Sequence, residues 1–222
     1  MNIILIGPPA TGKGTQAFAL SKYFNIPHIS TGDIFREHLQ LETNLGKLAN
    51  SYIEKGLLVP DEITNEMIKE YLSPEIKKNG FILDGFPRNL FQANFLVKLF
   101  EEKKISLTQV IYFNSDINFL QNRIIGRRIC PKCGEIYHIK TKIPKILGIC
   151  DKDQSVLIQR KDDNLNTFNK RLLIYQKETF PLVEYYKTKN KLIEIIINDP
   201  EMSIKNVTEI LLKKLSKHNY KL

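Results

Sequence analysis

MNIILIGPPATGKGT, residues 1–15, decides the fold. An apolar run at 3–6 stops at Gly7 and enters a loop rich in Gly and Pro. Lys13 follows Gly12, and the helix-like stretch QAFALSKYF comes next. A buried strand feeding a glycine loop feeding a helix is the context in which G-x4-G-K becomes a phosphate site. Loop N–H groups point inward at the anion, and the helix N-terminus adds partial positive charge. Lys13 would reach the terminal phosphates. The plainer alternative is a strand–turn–helix whose glycines serve only a tight turn. Here Gly14 follows the lysine, so the hydroxyl comes one position later, at Thr15.

Working outward, the chain of 222 residues suits one α/β core with small insertions. Hydrophobic residues at 42% and charged residues at 26% match a soluble globular protein. Further apolar runs at 26–29, 81–83, 110–113 and 192–197 alternate with helical patterns. That alternation predicts about five parallel strands flanked by helices. No apolar stretch approaches the ~20 residues of a membrane span. The start lacks the basic region and apolar segment of a secretory signal, so a cytoplasmic protein with no membrane partner is expected. The formal charge of +9 suits polyanions: nucleic acid, a membrane surface or nucleotides. Lys213, Lys214, Lys217 and Lys221 read as a solvated tail.

In a parallel sheet, ligands gather at the carboxyl ends of the strands, and a chemically loaded motif follows each of the first three runs. STGDIFR (30–36) offers Ser30 and Thr31 as helix caps and Arg36 as a forked phosphate donor, or as one solvated arginine. GFILDGFPRNLFQA (80–93) places Asp84 at a strand end, where it can anchor Mg2+ through water or merely cap a turn. Gly85 then allows close backbone approach, and Arg88 and Gln92 share a helical face. A Gln amide can pair with adenine through one donor and one acceptor. In QNRIIGRR (121–128), Arg123 and Arg127 stand four apart with Arg128 alongside. Like charges so spaced repel, so the helix gains nothing by them; a solvated basic face is the other reading. QRKDD (159–163) and NKRL (169–172) add Arg160, Asp162, Asp163 and Arg171, the acidic pair also suiting a helix N-terminus.

All three cysteines fall between Arg127 and Arg160, as Cys130-Pro-Lys-Cys133 and Cys150-Asp-Lys-Asp153. Two knuckles of this spacing are a zinc pattern with Asp153 in the fourth place. Four protein ligands leave no open position, so the Zn2+ would be structural, cross-linking a lobe too small to fold on its own core. His138 or Asp151 as fourth ligand, free thiols, and a disulfide stay as alternatives, the disulfide disfavoured in a reducing cytosol.

Together GKGTQ, STGDIFR, GLLVPDE (56–62), DGFPR, the spaced arginines and the cysteine knuckles resemble the adenylate kinases, in their long-lid, zinc-binding bacterial form. The resemblance runs from Met1 to about Leu215. It implies a P-loop NTPase-like core from 1–29, 60–126 and 164–222, an AMP-binding insertion at 30–59 and an ATP lid at 127–163. By this likeness Ala10, Thr11, Gly12, Lys13, Gly14, Thr15, Arg123, Arg127, Ile136 and Tyr137 hold ATP. Thr31, Arg36, Leu57, Val59, Gly85, Arg88, Gln92, Arg160 and Arg171 hold AMP. Lys13, Arg88, Arg123, Arg127, Arg160 and Arg171 would surround the transferred group, with Mg2+ near Asp84. The implied reaction is reversible transfer, ATP plus AMP giving two ADP, in a monomer. Long insertions over both nucleotides would shut out water and so suppress ATP hydrolysis.

The chain departs from the family at Ala10, where Gly is usual, and at Lys142-Ile143-Pro144, where Asn-Pro-Pro is usual. If position 10 needs positive φ, Ala there costs about 1–2 kcal/mol. The rival readings are a kinase with UMP or CMP as acceptor or GTP as donor, and, from another class, a zinc-containing nucleic-acid-binding module. The latter lacks interleaved aromatics and a basic recognition helix, so no stable nucleic-acid partner is expected. The four histidines fit no catalytic role.

Overall fold

The computed structural model describes residues 1–199 and 202–217. In chain order the strands are β1 (Asn2–Ile6), β2 (His28–Ser30), β3 (Phe81–Asp84), β4 (Gln109–Asn114), β5 (Arg127–Ile129), β6 (Ile136–His138) and β7 (Leu192–Ile196). Five of them form one parallel sheet in the order β2-β3-β1-β4-β7. β1 lies at its centre, with Leu5 level with Asp84 on one side and Ile111 on the other. The expected five-stranded core is therefore present. Only the second run is displaced: Ile26 is buried but precedes the strand, which starts after Pro27.

Alternation along β1 splits the interior in two. Ile4 and Ile6 join a core with Phe81, Leu83, Phe86 and Leu96. Ile3 and Leu5 join another with Leu20, Ile82, Ile111 and Leu211. Both faces of the strand are covered, which is why it reads as an unbroken apolar run. Each of these four side chains is almost fully buried, a gain of about 1.5–3 kcal/mol apiece before entropy is charged.

The first helices are α1 (Lys13–Phe24), α2 (Thr31–Gln40), α3 (Asn44–Ile53), α4 (Asp61–Tyr71) and α5 (Pro74–Asn79). Then come α6 (Leu90–Lys103) and α7 (Ile117–Gly126), and after β6 the chain adds α8 (Leu165–Ile174), α9 (Pro181–Thr188) and α10 (Ile204–Lys217). Residues 164–189 read as one long helix, but the structure inserts a π-helical turn, Tyr175–Thr179, between α8 and α9. Pro181 supplies the reason. It has no N–H to give, and its ring crowds the carbonyl four residues back. The backbone widens, and Phe180 N–H bonds to Tyr175 O at 2.8 Å.

Two parts add to the sheet and its covering helices: the α2–α3 pair, which packs into the main core, and the segment carrying the antiparallel β5–β6 ribbon. The solvated tail holds at Lys213 and Lys214, where Lys214 also donates to Glu194 O at 2.7 Å. The Lys217 side chain and Lys221 lie outside the described residues.

Candidate active site and metal cluster

A cleft of about 1080 Å³ opens at the carboxyl ends of β1 and β3. It is the crevice beside a central strand, where chain connections diverge to either side. Every nucleotide-facing residue expected from the sequence lines it, from Ala10 and Lys13 in the loop through Arg36, Val59, Arg88 and Gln92 to Tyr137, Arg160 and Arg171. Asp199 and Met202 also border it; Pro200 and Glu201 lie outside the described residues.

Lys13 opens α1, and Gly12 before it has φ +91°. The Lys13 ammonium donates to the loop carbonyls of Gly7 (2.8 Å) and Pro8 (2.7 Å). Burial pushes its pKa down to about 7; Asp84 opposes that shift, while Arg88, Arg171 and Arg127 add to it. Ala10 has φ +66°, so the loop does carry a left-handed alanine. A Cβ at position 14 would stand 3.4 Å from Asp84 Oδ2, in van der Waals contact with it. On the other side of Asp84, His28 Nε2 lies 3.4 Å away, a neighbour that sequence reading missed.

The arginines that line the cleft are anchored by nearby carbonyl and carboxylate oxygens. Arg88 Nε donates to Gly85 O at 2.9 Å, and Thr31 Oγ1 donates to the same carbonyl at 3.0 Å. The π turn contributes Thr179, whose hydroxyl donates to Arg88 O at 2.7 Å. Arg127 makes a two-pronged pair with buried Asp163, and Arg171 NH1 lies 2.8 Å from Asp162. Asp162 and Asp163 are thus arginine anchors as well as residues before α8. Arg36 pairs with Asp33, which Arg160 also approaches at 3.9 Å. Asp33 therefore links the α2 wall to the far wall; it was legible as acidic but not as a bridge. Arg123 sits 5.4 Å over the Phe119 ring. Burial together with like-charged neighbours lowers Arg88 and Arg160 to about 10.

Cys130, Cys133, Cys150 and Asp153 place one ligand atom each within 4.8 Å of one another. Cys133 and Cys150 sulfurs are 3.5 Å apart, and Cys130 Sγ is 3.2 Å from Asp153 Oδ2. Zn–S bonds of about 2.3 Å on a tetrahedron put ligands about 3.8 Å apart, so this set fits a zinc ion. Asp151 is engaged elsewhere, accepting from Lys145 N–H at 2.8 Å, and His138 accepts from the N–H groups of Lys140 and Thr141 at 3.2 Å. Neither belongs to the cluster. Tyr137 lines the cleft, yet its hydroxyl turns inward to Cys150 Sγ (3.6 Å) and accepts from Asp151 N–H (2.8 Å). At the departure from the usual lid sequence, Lys142 pairs with Glu135 and lies 5.2 Å over the Tyr137 ring.

Residues 5–191 match the family model described as adenylate kinase. The chain belongs to the adenylate kinase family. It is 54% identical over 215 residues to the adenylate kinase of Aster yellows witches'-broom phytoplasma (strain AYWB), covering 97% of this chain and 98% of that one. It is 53% identical to the adenylate kinase of Caldanaerobacter subterraneus subsp. tengcongensis, covering 97% and 96%. With that of Acholeplasma laidlawii the figure is 48% over 213 residues, 96% and 98%. The family is one of nucleoside monophosphate kinases acting on ATP, AMP and ADP with Mg2+, and this match favours adenylate kinase over the pyrimidine, GTP-donor and nucleic-acid readings. Among the described residues, no helix is long and apolar enough to cross a membrane.

Proposed function

We propose that the cleft divides two nucleotides between its halves and moves one phosphoryl group from ATP to AMP and back. The convergence of Lys13, Arg88, Arg123, Arg127, Arg160 and Arg171 on a single cleft carries this reading. Ala10 to Thr15, Arg123, Arg127, Ile136 and Tyr137 form the ATP side. Thr31, Arg36, Leu57, Val59, Gly85, Arg88, Gln92, Arg160 and Arg171 form the AMP side. Residues 127–163 act as the ATP lid and 30–59 as the AMP-binding insertion, on a core of 1–29, 60–126 and 164–222.

The attacking phosphate of AMP is already anionic at neutral pH, so no general base is needed. Catalysis is positioning and charge neutralisation. Asp163 and Asp162 hold Arg127 and Arg171 in place before substrate arrives, which spares the cost of ordering them later. Mg2+, when bound with ATP, neutralises phosphate charge, and Asp84 at the strand end would hold its water shell. The three thiolates and Asp153 would hold Zn2+ with no free position, so its role is to cross-link the lid. We place the protein in the cytoplasm as a monomer.

A coupled assay with AMP, UMP, CMP and GMP as acceptors and ATP or GTP as donors tests the assignment. ATP with AMP should dominate. Strong UMP phosphorylation without AMP activity would overturn it.

A further inference from the structure

Gln92 is buried at 2% exposure, and its amide is not free to turn. Its Oε1 accepts from the Arg88 backbone N–H at 2.7 Å, and its Nε2 donates to Asp61 Oδ1 at 2.7 Å. A backbone N–H can only donate and a carboxylate oxygen can only accept. The two ends of the amide are thereby assigned by their neighbours. Turning it over would press oxygen on the carboxylate and NH2 on the N–H, losing both bonds at once.

Asp61 is itself fixed. Both its oxygens accept from Asn89 Nδ2, at 3.1 and 3.0 Å, while Asn89 Oδ1 caps α6 through Gln92 N–H at 2.8 Å. As the first residue of α4, its charge also sits at a favourable helix end. Asp61 does not line the nucleotide cleft. It borders a separate shallow hollow with Glu62, Asn89 and Lys177, and of its two hydrogen-bond partners Gln92 is the one that lines the nucleotide cleft.

We infer that Asp61 is a positioning residue for base selectivity, locking the Gln92 amide in the order that suits a 6-aminopurine monophosphate and rejects a 6-oxopurine one. After its protein partners are served, the amide keeps one lone pair on Oε1 and one hydrogen on Nε2. Adenine offers a 6-amino donor beside an N1 acceptor, which such a pair can meet. Hypoxanthine and guanine offer a 6-oxo acceptor beside an N1–H donor, the reverse order, and would need the amide inverted. Asp61 and the Arg88 N–H oppose that inversion from both ends. The inference rests on the reading of Gln92 as the base-facing residue.

The test is the ratio of kcat/KM for AMP to that for IMP in wild type, Asp61→Asn, Asp61→Glu and Gln92→Ala. An amide at position 61 can donate or accept, which removes one of the two restraints on turning Gln92 and leaves only the Arg88 N–H. Asp61→Asn should lower the AMP:IMP ratio about tenfold, or about 1.4 kcal/mol of discrimination, and Asp61→Glu should restore most of it. Asp61→Ser, whose hydroxyl also donates or accepts, gives the same readout if Asp61→Asn does not fold. If both acceptors lose activity equally and the ratio holds, Asp61 only ties α4 to α6 and the inference fails. An unchanged ratio in Gln92→Ala sinks the reading of Gln92 itself. A shifted ratio in Gln92→Ala with none at position 61 sinks the lock alone.

Discussion

The two walls of the cleft are built on different principles. The α2–α3 wall shares the main core: Ile34, Phe35, Ala49 and Val59 pack in one cluster with Phe81, Leu83 and Phe86 of the sheet region. Its helices begin at side-chain caps, Ser30 on Asp33 N–H and Thr43 on Gly46 N–H, and cross so closely that a Cβ on Gly46 would fall 2.2 Å from the His38 backbone. The opposite wall has a buried apolar cluster of only Cys130, Tyr137, Cys150 and Leu157. Ile143, Ile146, Leu147 and Val156 of the same segment stay largely exposed. One wall inherits its stability from the domain beneath it. The other must carry its own, and four ligand atoms at metal spacing offer a means.

The sharpest way to break that contrast is a chelator, which acts if the cluster holds zinc as proposed. Structural zinc supplies about 10–16 kcal/mol in small zinc domains, far more than a cluster of four side chains can replace. Chelation should speed amide exchange across 127–163 by about a thousandfold, equivalent to about 4 kcal/mol of lost protection, while 31–53 stays protected. The melting temperature should fall and activity in the cold should mostly survive; a folded metal-free protein with no activity would contradict a purely structural ion. Next in size, Phe35→Ala should cost about 3–5 kcal/mol and lower the melting temperature of the whole protein by about 10 °C. If instead only the α2–α3 pair loosens, that wall does not share the core after all. At the edge of the 127–163 segment, Asp163→Asn leaves Arg127 without its buried partner. The expected loss is about 3 kcal/mol, with a drop in kcat that Asp163→Glu partly restores. Smallest is Ala10→Gly. Relief of a left-handed alanine gains about 1–2 kcal/mol, and the looser unfolded chain gives back about 0.4–1 kcal/mol. A net gain of about 0.5 kcal/mol in chemical denaturation should appear with no change in exchange at either wall.

Phosphate chemistry was legible because it is local. A glycine loop, a strand-end Asp and arginines one turn apart announce themselves within a few residues, as Lys13, Asp84 and the Arg123–Arg127 pair do. The groups that aim those residues were not legible, because their partners lie far off in the chain. Asp61 bonds to Gln92 across 31 positions, and Thr179 to Arg88 across 91. Nothing near Asp33 in sequence indicates that Arg160 will approach it. The π turn left one local trace, Pro181 within a helical pattern, which signals a break but not the side chain it delivers to the site.

Lys13 has one further consequence, which concerns protons rather than geometry. In the unfolded chain its ammonium would titrate near 10.5, and in the folded, ligand-free loop near 7. The folded state therefore binds fewer protons between those values, so through this group stability rises with pH across that window and is least below about 7. A triphosphate beside the ammonium favours the charged form and returns the proton. Nucleotide binding at pH 8 should draw protons from solution, so the binding heat should differ between buffers of unequal ionisation enthalpy. Substrate affinity in this loop is in that sense a co-binding of phosphate and hydrogen ion.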